Sequence, residues 1–361
     1  MIKAKDCIRG ITPYKPGKPI DDVKRELGLS EVYKLASNEN PLGTPPSAVE
    51  AMRVMASACA LYPDGYGYDL RMSISEKLGV KPGELIFGDG SNEIIKLLSL
   101  VYLDKGDEII APMPSFSEYS RLAAVCGAVC KAIPLTEDFI VDLPAMVGAI
   151  SCKTKIIYIC NPNNPTGTVI NKRLLLQMMH RIGNDILVVL DEAYFEYVDD
   201  ENSPNGLDFF KEFSNVVVMR TFSKAYGLAG LRVGYAVANQ SVVNDVNKVR
   251  EPFNVNSLAQ VAAIAAFNDK EYIKKSINYN KVERDFVSTS LKTMGLNVIP
   301  SQGNFVLVNV GIKCNIVFNE LLKKGIIVRS GDVFGYPTSI RVSIGLREEN
   351  NYFLKELKEL L

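Results

Sequence analysis

The sequence predicts an α/β protein: a three-layer large domain on a mostly parallel sheet, with a smaller α+β domain attached. Three observations carry that expectation. Short apolar runs, several of them unbroken Val/Ile strings, recur through the middle of the chain. Strands covered on both faces read this way, because neither side of the sheet meets water. Longer helix-patterned stretches separate them, in the β, α, β, α order of a sheet covered by helices. Near the C-terminus the pattern changes to one long helix followed by short strands.

Taken in order, "ITPYKPGKPIDDVKRELGLSEVYKLASNENPLGTPPS" is rich in proline and glycine and reads as an arm and linker. The strands are "ELIFGDG", "DEIIAP", "AVCKAIPL", "TKIIYICNP", "DILVVLDEAY", "NVVVMRTFSK" and "VGYAVA". Between them, "SNEIIKLLSLVYL", "SFSEYSRLAAVCG" and "NKRLLLQMMHRI" carry helical spacing. Further on, "KKSINYNKVERDFVSTSLKTMG" is a long helix with Gly295 as its stop. "NVIPSQGNFVLVNV", "NIVFNELLKKG", "IIVRSG" and "SIRVSIG" complete a small α+β unit. The expected division is an arm over 1–45 that joins the small domain, a large domain over 46–265 and a small domain over 266–361.

Composition narrows the function. The chain has 361 residues, 47 % apolar and 23 % charged, enough for a large core. Lys and Arg total 41 and Asp and Glu total 41, so no net charge draws it to nucleic acid or an acidic membrane. No stretch reaches the roughly 18 apolar residues of a spanning helix, and "MIKAKDCIRG" has no signal-peptide core. The expected location is the cytoplasm. Seven scattered cysteines read as reduced thiols, and with one histidine, His180, no metal site is expected. A histidine-based triad would rest on that one residue, in a helical run with no nucleophile motif beside it.

The strand ends carry the chemistry, since open α/β sheets bind ligands beyond the carboxyl ends of their strands. "LIFGDGSNEII" leaves small residues and then a helix start, which suits a phosphate, although Ser91 also suits an N-cap. "IIYICNPNNPTG" ends in a rigid polar turn of prolines and asparagines. "ILVVLDEAYFEY" places Asp191, Glu192 and Tyr194 after a buried strand, where a carboxylate needs a cationic or protonated partner. "VVVMRTFSK" delivers Ser223 and Lys224, and Arg232 follows eight positions later among glycines. An amine, a buried carboxylate and an anion cradle together suit pyridoxal 5'-phosphate. The small neighbours of Lys224 read as room for it to swing.

The motifs "NPNNPTG", "DEAY" and "FSKAYGLAGLRVGY" resemble those of the fold-type I pyridoxal-phosphate aminotransferases. "TPYKPG", "KLASNENPLG", "LYPDG" and "GDGSNEII" narrow the resemblance to the histidinol-phosphate aminotransferase family, and "GNFVLV", "GIIVRSGD" and "IRVSIG" agree. The likeness runs from about Thr12 to Gly345.

The resemblance implies these roles. Lys224 makes the Schiff base with the cofactor and shuttles the proton; Asp191 faces the ring nitrogen; Asn164 and Tyr194 bind the ring oxygen; Phe116 stacks on the ring. Ser91, Asn92, Ser223 and Arg232 hold the phosphate, with Tyr62 reaching in from the second subunit of a homodimer with shared active sites. Asn164, Arg329 and Arg341 bind substrate, and Tyr14 closes over it. The implied reaction exchanges an amino group between histidinol phosphate and 2-oxoglutarate or glutamate in histidine biosynthesis. Two alternatives on the same scaffold are an aromatic amino-acid aminotransferase and a threonine-phosphate decarboxylase.

Overall fold

The computed structural model describes residues 2–11, 13 and 17–361. Its strands are β1 (Tyr33–Lys34), β2 (Leu85–Asp89), β3 (Glu108–Met113), β4 (Val129–Pro134), β5 (Thr154–Cys160), β6 (Leu187–Asp191), β7 (Val216–Thr221), β8 (Val233–Val237), β9 (Asn297–Val298), β10 (Phe305–Asn309), β11 (Ile326–Ile327), β12 (Arg329–Ser330) and β13 (Ser339–Ser343). Seven of them form one sheet in the order β2-β8-β7-β6-β5-β3-β4. All neighbours are parallel except β8, which is antiparallel to both β2 and β7.

Alternate residues of each central strand enter two different cores. Ile157, Ile159, Val188, Leu190, Val216 and Val218 pack on one face. Ile156, Tyr158, Leu187, Val189, Val217 and Met219 pack on the other. A strand with two apolar faces has no polar side to show, which is why its sequence is an unbroken apolar run. All seven strands expected for this sheet form.

A second sheet, β12-β13-β10-β9, is antiparallel throughout. Helices Lys270–Thr293, Cys314–Lys323 and Arg347–Leu360 cover it, around a core that includes Val287, Leu321, Val342 and Phe353. Gly295 ends the long helix at φ 81°, in the left-handed region where a side chain is strained.

From Ile20 onward the N-terminal segment forms regular structure where an arm and linker was expected. Helix Ile20–Leu27 begins after Pro19 and stops at Gly28, whose φ is 66°. It buries Val23 against Val32, Ala36 and Ile327. β1 then pairs in parallel with β11, and Leu35 joins the small-sheet core. The proline and glycine that read as linker composition are this helix's start and stop signals.

Candidate active site

The direction of β8 builds the site. β2, β3, β5, β6 and β7 all end at one edge of the large sheet. β8 runs the other way, so its first residues lie at that same edge, with Asp89 opposite Val233 and Thr221 opposite Gly234. Arg232, one residue before β8, is thereby set beside the start of helix Gly90–Tyr102 and the end of β7.

Two glycines make that approach possible. A Cβ on Gly90, whose φ is 70°, would sit 2.5 Å from Arg232 Nη2. A Cβ on Gly234 would sit 2.7 Å from the Ser91 amide nitrogen. The helix start, Ser91 and Asn92, Ser223 and Arg232 all line one cavity of about 430 Å³. The first amides of a helix have no intrahelical acceptor and face outward, which favours an anion here. Asp89 is the N-cap and Ser91 lies inside the first turn, so Ser91 is not the N-cap its sequence context also allowed.

Lys224 stands in the same cavity, and its Nζ donates to the Ser37 carbonyl at 3.1 Å. Burial, then the nearby Arg341, lowers its pKa to about 8, while Glu39 opposes the shift. An amine at that value is partly neutral near pH 7 and available as a nucleophile or base. Two of the small residues after it serve close packing. Gly227, at φ 67°, packs against the Gly43 carbonyl, and Gly234 admits the helix start. Gly227 and Gly234 therefore bring backbones together, while Gly230, between them, has open space around it.

Asp191 ends β6 and is 3 % exposed. It accepts from the Tyr119 hydroxyl at 2.6 Å and from the Ala193 amide at 3.2 Å. Burial nonetheless raises its pKa to about 6, against the pull of those two donors. A carboxylate so raised gains most from a cation set beside it. Glu192, its neighbour in "DEAY", points away and bonds Arg220 at 2.8 Å behind the site.

The asparagine turn after β5 divides its work. Asn161 accepts from the Ile170 amide at 2.9 Å, and Asn163 accepts from the Ser115 hydroxyl at 2.7 Å, so both build the loop. Asn164 lines the cavity and its Oδ1 accepts from Arg341 Nη1 at 2.5 Å. Tyr194 lines it too, with its hydroxyl pushed up to about 12 by burial. Phe116 contributes a ring edge-on to Tyr119, with centroids 5.6 Å apart. Arg329 and Arg341 face each other across the β12–β13 register and close the cavity from the small sheet.

Tyr14 lies outside the described residues. Tyr62 is 82 % exposed, stacks on Phe253 at 4.8 Å between centroids, and does not line the cavity. His180 caps the end of helix Lys172–Met179 and packs edge-on against Phe213, away from this edge. Tyr119, Ser37, Asn38 and Glu39 belong to the site without having been singled out. "KLASNENPLG" held the last three, yet nothing in its spacing shows which of its atoms turn inward. Among the described residues no cluster suits a metal ion and no helix is long and apolar enough to cross a membrane.

Residues 30–357 match the family model for aminotransferase class I and II. The chain belongs to the class I and II aminotransferases. A curated relative from Moorella thermoacetica, named histidinol-phosphate aminotransferase, is 47 % identical over 99 % of this chain and 93 % of its own length. Another so named, from Caldicellulosiruptor saccharolyticus, is 46 % identical over 99 % of each chain. The Sinorhizobium meliloti histidinol-phosphate aminotransferase, solved in complex with pyridoxal-5'-phosphate, superposes with a TM-score of 0.90 at 24 % identity, covering 100 % of this aminotransferase and 99 % of its own chain. That likeness is one of fold: the same mixed seven-stranded sheet with a small domain beside it.

Proposed function

We propose that this aminotransferase exchanges an amino group reversibly between L-histidinol phosphate and 2-oxoglutarate, whose counterparts are imidazole-acetol phosphate and glutamate, in histidine biosynthesis. The single observation that carries the reading is one cavity lined at once by a buried lysine of lowered pKa, a buried carboxylate, a helix start with Arg232, and the pair Arg329 and Arg341. Full-length relatives at 46 and 47 % identity, named for this substrate, support the choice of amine.

Pyridoxal 5'-phosphate is the cofactor that fits. Its phosphate suits the anion cradle that Gly90 and Gly234 leave open. Asp191 suits its ring nitrogen, and Asn164 with Tyr194 suits its ring oxygen. When bound, the cofactor supplies an aldehyde for amines and a ring that takes up the electron pair left when an α-proton departs. The protein supplies the rest. Lys224, neutral above its value of about 8, takes the proton from the substrate α-carbon and returns it on the far side of the exchange. Asp191, once faced by a cation, stays ionised and keeps a proton on the nitrogen opposite. Arg329 and Arg341 bind the substrate anion. A guanidinium offers the same fork to a carboxylate and to a phosphate, so one pair serves both glutamate and histidinol phosphate.

A homodimer with shared sites follows from the same reading. Leu61, Tyr62 and Tyr66 are 74 %, 82 % and 70 % exposed, a patch suited to burial by a second copy, which would carry Tyr62 to the other cofactor's phosphate. The division at residues 45 and 265 is supported by separate cores, one spanning Ala48 to Phe267 and one gathering Leu35 with Val287 to Leu357. Seven unpaired cysteines suit the reducing cytoplasm.

The test is an acceptor panel with glutamate as donor. Imidazole-acetol phosphate should be preferred over phenylpyruvate. A preference for phenylpyruvate would move the substrate assignment to aromatic amino acids, and carbon dioxide release from phosphothreonine would point to decarboxylation.

A further inference from the structure

Tyr194 is set for one task by a residue of the N-terminal segment. Its hydroxyl oxygen accepts from Asn38 Nδ2 at 3.0 Å. Asn38 is 1 % exposed and Tyr194 4 %, so no solvent competes for this bond. The orientation of the amide is fixed by what lies behind it. Ser343 Oγ accepts the Asn38 backbone N–H at 2.8 Å and donates its own hydrogen to Asn38 Oδ1 at 2.8 Å. Turning the amide over would leave that buried hydroxyl hydrogen facing an NH₂ group, which costs a bond. The backbone of Asn38 is held as well. Its φ is 54°, a region asparagine tolerates better than most residues, and its carbonyl accepts from Asn304 Nδ2 at 3.0 Å.

With its oxygen occupied by a donor from Asn38, the phenol has one hydrogen left to place, and the cavity lies in front of it. We propose that Asn38 is a positioning residue: aimed by Ser343, it commits the Tyr194 hydroxyl hydrogen to the cavity, where it donates to the ring oxygen of the bound cofactor. This rests on the reading that the cavity holds pyridoxal phosphate with Tyr194 beside that oxygen. The amide also makes Tyr194 a better donor, because a hydrogen bond received at the oxygen polarises the O–H bond. The device spans both sheets. Ser343 ends β13, Tyr194 follows β6, and Asn38 bridges them.

The test is a pH titration of the visible absorbance of the cofactor-loaded protein, in a double-mutant cycle of Asn38→Gly and Tyr194→Phe. Glycine keeps the left-handed backbone and removes the amide. A donor to the ring oxygen steadies its anionic form, so losing one raises the midpoint. Tyr194→Phe should raise it, and Asn38→Gly should raise it by roughly half a unit, as one neutral hydrogen bond would. In the Tyr194→Phe background Asn38→Gly should add nothing, since its effect passes through that hydroxyl. Thermal melts of the cofactor-free variants separate a loss of fold from a loss of aim. Should Asn38→Gly not fold, Ser343→Ala is expected to raise the midpoint in the same direction. An unmoved midpoint in the folded variant, or the same shift with Tyr194 already replaced, overturns the proposal. If the wild-type protein takes up no pyridoxal phosphate, it is the cofactor reading that fails instead.

Discussion

The ammonium of Lys224 donates to the Ser37 carbonyl at 3.1 Å, which ties the candidate catalytic amine to the segment that joins the two sheets. That one bond does not offset burial, and the amine sits at about 8 instead of its ordinary 10.5. Between those values the unfolded chain holds a proton that the folded one has shed, so stability rises with pH across that window. Below about pH 8 the folded protein carries the full cost. Lys224→Met should therefore stabilise the cofactor-free protein at pH 7 by roughly 2–3 kcal/mol, with the gain fading towards pH 10.5. Turnover should be lost in the loaded variant. Parallel melting curves for variant and wild type across that range would show that the amine is not depressed.

Asp191 carries the opposite sign. Its folded value of about 6 lies above the ordinary 3.8, so between those values the folded protein binds the extra proton and stability falls as pH rises. Asp191→Asn removes a buried charge and should leave the cofactor-free protein more stable than wild type at pH 7 and little different near pH 4. The same variant should lose on the order of 10²–10³ in kcat, as a misplaced electrostatic partner does. Melting temperatures at the two pH values, with kcat measured alongside, check both halves.

Glu192 and Arg220 form a buried pair with a structural task. Glu192 Oε2 accepts from Arg220 Nε at 2.9 Å and Nη2 at 2.8 Å, Oε1 takes the Gly206 amide at 2.6 Å, and the guanidinium lies 3.7 Å from the Phe195 ring centroid. Removing one partner strands the other's charge. Glu192→Ala should cost about 3–5 kcal/mol in chemical denaturation, far more than an exposed pair would. Replacing both, as Glu192→Gln with Arg220→Met, should cost less than the single variant. A single variant within 1 kcal/mol of wild type, a surface-like value, would place this pair in solvent.

The large sheet was legible because burial on both faces writes itself into composition: a strand such as Ile156 to Cys160 has nowhere to put a polar residue. The strand ends were legible for the same reason, since the first polar residue after each run marks the edge. Tyr119 was not. Its bond to Asp191 joins helix Glu118–Val125 to β6, and no spacing along one chain reveals a contact 72 residues apart. Asn38 was quoted within a motif, but its value lies in Ser343, 305 positions away. Helix Ile20–Leu27 was hidden by its own punctuation, Pro19 and Gly28, which resemble a linker until Val23 is seen to pack on Ile327. Tyr62, which the motif resemblance assigned to a second chain's cofactor, stacks on Phe253 of its own chain.

Gly90 offers a probe of the anion cradle that leaves every polar group intact. A methyl there would stand 2.5 Å from Arg232 Nη2 and 3.2 Å from its Cζ, on a backbone held at φ 70°. Arg232 has somewhere to go, because its side chain is 46 % exposed and its ion pair with Asp89 is long, at 3.8 Å. Gly90→Ala should therefore displace the guanidinium without unfolding the helix behind it, at a cost of about 1 kcal/mol in backbone strain. Losing a charged hydrogen bond to phosphate should weaken pyridoxal-phosphate binding about 10- to 100-fold. Arg232→Ala should weaken it comparably, and the two changes together should do little more than either alone, since both act through one side chain. Equilibrium dialysis of the cofactor against the three variants reads this directly. Additive losses would mean that the glycine serves the phosphate through its own backbone and not through the arginine beside it.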